Sequence, residues 1–103
     1  MKTGVQEWEA SVAALWSRVD SLDREGGVAA MRDLAALCPA ADGRAAFELA
    51  GMYDSMGFEA EASDEYERAL SLLEEMLFID PLNSDWTYKR QRILDELNPL
   101  KPN

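Results

Sequence analysis

Residues 43–72 read GRAAFELAGMYDSMGFEAEASDEYERALSL. Apolar side chains recur at helical spacing on both sides of Gly57. Ala46, Leu49, Ala50, Tyr53 and Met56 precede it, and Ala62, Tyr66, Ala69, Leu70, Leu73 and Leu77 follow it. Glycine takes the left-handed backbone that ends a helix without a steric penalty. The spacing therefore predicts helices over 43–56 and 58–79, with Asp42 as a cap for the first and Asp80-Pro81 ending the second. Two antiparallel helices joined by so short a turn must pack closely. Small side chains at Ala50, Ala62 and Ala69 let the backbones approach, while Leu49, Tyr53 and Tyr66 fill the gaps between them.

The flanks carry the same period. Val5, Trp8, Val12, Leu15, Trp16, Val19 and Leu22 form one stripe, which predicts a helix over 5–22 that Gly26-Gly27 breaks. Val28, Met31, Leu34, Ala35 and Cys38 predict a second over 27–38, stopped by Pro39. Beyond Pro81, Ser84 reads as a cap for a helix over 85–97, with Trp86, Arg90, Ile93, Leu94 and Leu97 on one face and the arginine covering it by its stem. Pro99 and Pro102 predict a frayed tail over 98–103. No segment alternates with the period of a strand. The expectation is an all-α single domain over 1–103 with about five helices, a central hairpin over 43–79 and a capping helix over 85–97.

The central run resembles a tetratricopeptide repeat. Ala46, Leu49-Ala50 and Tyr53 correspond to the family's first-helix pattern, and Ala62, Tyr66 and Ala69 to its second. Gly57 falls at the turn, where the family also favours glycine. The run 47–57 looks most like a bacterial subgroup. The chain departs from the family at Ala46, where the pattern has tryptophan, at Ala50, where it has glycine, and at Glu74, where a closing proline is missing. Residues 5–38 are read as a degenerate hairpin on length and order, with Gly26 at its turn.

The resemblance implies protein binding. In such proteins the first helix of each pair lines a concave groove that takes peptides. The corresponding positions here are Arg44, Phe47, Glu48, Gly51, Asp54 and Ser55. Arg44 could belong to a ring that grips a terminal carboxylate, but Phe47, Glu48 and Gly51 do not match one, so no carboxylate clamp is expected. An apolar contact at Phe47 beside the open backbone of Gly51 is expected instead.

Composition narrows the field. Twenty acidic residues against ten basic ones leave a net charge of −10. That charge repels phosphate, so neither nucleic acid nor an anionic membrane is expected as partner. No apolar run approaches the ~20 residues of a membrane span, the N-terminus does not read as a signal peptide, and a cytoplasmic protein is expected. There is no histidine, and Cys38 is the only cysteine. No metal site, cofactor site or catalytic residue is expected, and Cys38 reads as a half-buried structural thiol. Glu61/Glu65 and Asp64/Glu67 could pair on one helix face, but nothing marks a pocket that would tune them. The expected activity is therefore binding of a protein or peptide, not catalysis. A homo-oligomeric assembly protein and an acidic mimic of nucleic acid are the alternatives.

Two features stand out. Met76-Leu77-Phe78-Ile79 is apolar almost all round, so either the Trp86 helix folds back on it or it forms an interface, including that of a homodimer. Glu59, Glu61, Asp64, Glu65, Glu67, Glu74, Glu75 and Asp80 face a single opposing charge, Arg68, along the same segment. This strip could pair with the basic residues after Pro81, or steer a basic partner.

Overall fold

The computed structural model describes residues 4–98. It is all-helical, and among the described residues there are five α-helices: α1 (Gly4–Ser17), α2 (Arg24–Ala36), α3 (Arg44–Ser55), α4 (Glu59–Ile79) and α5 (Ser84–Leu97). A short 3-10 turn, Val19–Ser21, joins α1 to α2. The expected tail, apart from Asn98, lies outside the described residues.

The boundaries differ from expectation in three ways. The first helix stops at Ser17, not near 22, and the turn after it carries Val19 onto the core by a different route. The second begins at Arg24. Asp23 caps it, its carboxylate accepting the Gly26 N–H at 2.7 Å. Gly26 and Gly27 thus lie inside the first turn of α2 and do not break the chain. A Cβ on Gly26 would strike the Asp23 carboxylate, and one on Gly27 would strike the Met56 side chain. Both glycines serve close approach. The third difference concerns the caps. Gly43, not Asp42, holds the N-cap position of α3, at φ 94°, and a Cβ there would lie 2.9 Å from the Ala69 carbonyl oxygen. In the same way Asn83, not Ser84, caps α5, accepting the Trp86 N–H at 3.0 Å.

The α3–α4 turn is as expected. Gly57 sits at φ 85°. The Phe58 N–H donates to the Tyr53 carbonyl at 2.8 Å and the Gly57 N–H to Asp54 at 3.1 Å, so the orphan carbonyls at the end of α3 are satisfied. The Tyr53 and Phe58 rings meet edge to face, 6.1 Å apart, which fixes the exit direction of the chain.

Contacts between helices set the layout. Arg44 on α3 reaches Glu9 on α1, and Trp16 on α1 reaches Glu48 on α3, spanning 35 and 32 residues. Low numbers meet low numbers, so α1 and α3 run parallel. Phe47 on α3 meets Lys89 on α5, and Asp54 shares a groove with Glu96, so α5 continues the same parallel layer. Behind this layer α2 packs on α1 and α3, and α4 packs on α3 and α5. Arg24 donates to the Met56 carbonyl and Arg32 to the Tyr53 hydroxyl, which runs α2 antiparallel to α3.

The interior has two parts. Trp8, Val12, Leu15, Val28, Met31, Leu49 and Met52 form one, and Ala46, Ala50, Ala62, Tyr66, Ala69, Leu73 and Ile93 the other. Full burial of Met31, Met52, Leu73 and Ile93 contributes about 1.5–3 kcal/mol for each side chain. Helix α5 does fold back on α4, with Ile93 beside Leu73 in this cluster and Arg90 paired to Glu74 at 3.2 Å. It leaves the end of α4 bare all the same: Phe78 is 90% exposed and Ile79 74%.

Candidate functional site

One face of α3 presents Phe47, Glu48, Gly51, Asp54 and Ser55 at helical spacing, and all five line a single groove. Trp16 of α1 forms one wall, and Arg92 and Glu96 of α5 form the other, with Tyr66 of α4 at the base. The groove exists because α1, α3 and α5 are parallel neighbours, so three helices show the same face.

The sixth expected residue stands apart. Arg44 is not in the groove lining. Its guanidinium is nearly covered and pairs with Asp42 at 2.6 Å and Glu9 at 2.9 Å. Asp42 is itself buried. Burial pushes its carboxyl up, but the hydrogen bonds and charge of Arg44 outweigh this and hold it below the usual carboxylate range. Arg44 therefore ties α1 to the start of α3.

The groove's polar groups are held in place by the fold. The Trp16 indole N–H donates to Glu48 at 2.9 Å. Arg92 donates to the Tyr88 hydroxyl at 3.3 Å and lies 3.5 Å from Glu96. Glu48, Asp54 and Glu96 set three carboxylates against the one guanidinium of Arg92. Tyr66 senses that balance. Burial and the carboxylates of Glu96 and Asp54 push its phenol up to about 12, against the opposing pull of Arg92. The base of the groove is negative.

Phe47 is half-buried and already engaged. Tyr66 meets it edge to face at 6.5 Å, and the Lys89 ammonium lies 5.6 Å from its ring centre. Lys89 is only 9% exposed and pairs with Asp85 at 2.8 Å. The expected stripe on α5 gave this place to Arg90, which is less buried. Trp86, Lys89 and Ile93 stand three and four apart, so the spacing carried the signal, while the charge hid it. Trp16, Arg92 and Glu96 were also missed as groove residues, because nothing local says which helices become neighbours.

Other polar groups lie outside the groove. The Cys38 thiol is half-buried and donates to the Ala40 carbonyl at 3.4 Å. The Glu65 side chain on α4 is mostly covered, with one carboxylate oxygen buried 3.7 Å from the exposed Arg68. Among the described residues, no three His, Cys, Asp or Glu side chains are grouped to hold a metal, and no helix is long and apolar enough to cross a membrane.

The architecture defines a class: helical hairpins stacked so that alternate helices share one open face. The chain matches no protein-family model, no curated protein and no solved structure.

Proposed function

We propose that this chain is a tetratricopeptide-like interaction module of the cytoplasm, with no catalytic role, that holds a peptide segment of another protein in the groove across α1, α3 and α5. One observation carries the reading. Phe47, Glu48, Gly51, Asp54 and Ser55, singled out by the resemblance, fall on one groove with Trp16, Arg92 and Glu96. The spans of 35 and 32 residues between matching points of α1 and α3 lie close to the family's repeat of 34, which supports the same reading. The departure at Glu74 also has a structural counterpart: α4 runs for 21 residues where α2 has 13.

Gly51 leaves backbone open at the groove's centre, and Asp54 and Ser55 are exposed beside it. A partner backbone can lie along this strip, with a basic or neutral polar side chain among Glu48, Asp54 and Glu96. Phe47→Ala tests this poorly, since Phe47 also joins α3 to Tyr66 and Lys89. The better variant is Gly51→Met with Asp54→Arg, which fills the groove and reverses its charge. Affinity capture from native lysate, read by mass spectrometry, should recover a protein with the wild-type chain. The double variant should lose that protein at a melting temperature no lower than that of the wild type. Equal recovery by both chains would remove the groove from the proposal.

A further inference from the structure

An apolar surface that the groove does not explain lies at the far end of α4. Phe78 is 90% exposed, Ile79 74%, and Leu82, in the turn to α5, 91%. Three large apolar side chains within five residues form a patch that no other part of the described chain covers. Glycine or proline chemistry does not require them there, and polar residues would fit the same exposed positions at lower cost in solubility.

The charges around the patch select what can cover it. Glu75 stands one helical turn before Phe78 and Ile79, and Asp80 follows directly. Neither forms an ion pair among the described residues. The nearby cations are engaged elsewhere, Arg90 with Glu74 at 3.2 Å and Lys89 with Asp85 at 2.8 Å. The rim is therefore acidic and uncompensated. A second copy docking through a two-fold axis would set this rim against itself, between chains of net charge −10. A partner of opposite sign meets no such cost.

We infer that Phe78, Ile79 and Leu82, rimmed by Glu75 and Asp80, form a second docking surface, separate from the groove, for an apolar segment of another protein flanked by lysine or arginine. Apolar contact holds the segment, and the rim sets its charge preference.

The test uses two labelled synthetic peptides with leucines at helical spacing, one carrying lysines on its polar face and the other glutamates. Fluorescence anisotropy with the full chain should show binding of the lysine peptide, weakened by salt, and none of the glutamate peptide. Phe78→Ser with Leu82→Ser should weaken binding about tenfold or more, since both side chains lose their apolar contact. The melting temperature should hold, as both are in solvent. Glu75→Lys with Asp80→Lys should reverse the preference between the peptides. Gly51→Met with Asp54→Arg should leave this binding unchanged, which separates the patch from the groove. Equal binding of both peptides, binding of neither, or binding indifferent to Phe78→Ser would overturn the inference. So would a wild-type dimer in sedimentation that Phe78→Ser dissolves, because the occupant would then be a second copy.

Discussion

The α1–α2 half is filled by long side chains, Trp8, Leu15 and Met31, which reach across wide gaps between helices. The α3–α4 half closes on Ala46, Ala50, Ala62 and Ala69, with Tyr66 and Leu73 between them. Both halves exclude water, by opposite means. Where backbones stand apart, the interior depends on side-chain volume. Where they nearly touch, it depends on the absence of volume. The two halves should therefore obey opposite rules under mutation.

Trp8→Ala should have the largest effect. The ring is buried and its N–H donates to the Leu34 carbonyl at 2.6 Å, so truncation leaves a cavity and removes a hydrogen bond that ties α1 to the end of α2. A loss of about 3–5 kcal/mol is expected in urea unfolding. Next comes the joint between the halves. Asp42→Asn should cost about 1.5–3 kcal/mol at neutral pH, because it removes charged hydrogen bonds to Arg44. The folded-state pKa of Asp42 is depressed, so its contribution is complete above the unfolded value of about 3.9 and fades as pH falls through the lower folded value. Wild type and variant should converge in acid, and a difference that stays constant would remove the ion pair as its cause.

Ala69→Leu tests the opposite rule. It adds volume where none is free and should cost about 1–3 kcal/mol, although the same change enlarges the apolar surface. Neutrality at this position would show that the alanine seam can spread. The smallest effect should be a gain. A Cβ at Gly51 would lie 3.5 Å from the Trp16 ring, an ordinary contact, and Gly51 is a mid-helix residue. Gly51→Ala should raise stability by about 0.5–1 kcal/mol in thermal or urea melts.

The same contrast explains what could be read from the chain. The α3–α4 hairpin was legible because its determinants are local: alanines and tyrosines at fixed spacing around Gly57. The α1–α2 turn was not. Gly26-Gly27 looks like a break in isolation, and becomes helix only because Asp23 caps it and Met52 of α3 and Met56, the residue that follows α3, press against it. The candidate groove divides in the same way. Its α3 residues followed from the resemblance, but its walls came from Trp16, Arg92 and Glu96, whose roles depend on which helices lie side by side. Lys89 was hidden for a related reason. A cation on a buried stripe is readable only once Asp85 and the Phe47 ring are known to face it.

That covered cation gives the molecule a built-in reporter. An amine-selective reagent can reach the Lys89 nitrogen freely only after α5 lifts away from α3. The rate at which Lys89 is modified should therefore time the local opening of the last helix, and measure how often the groove loses its wall.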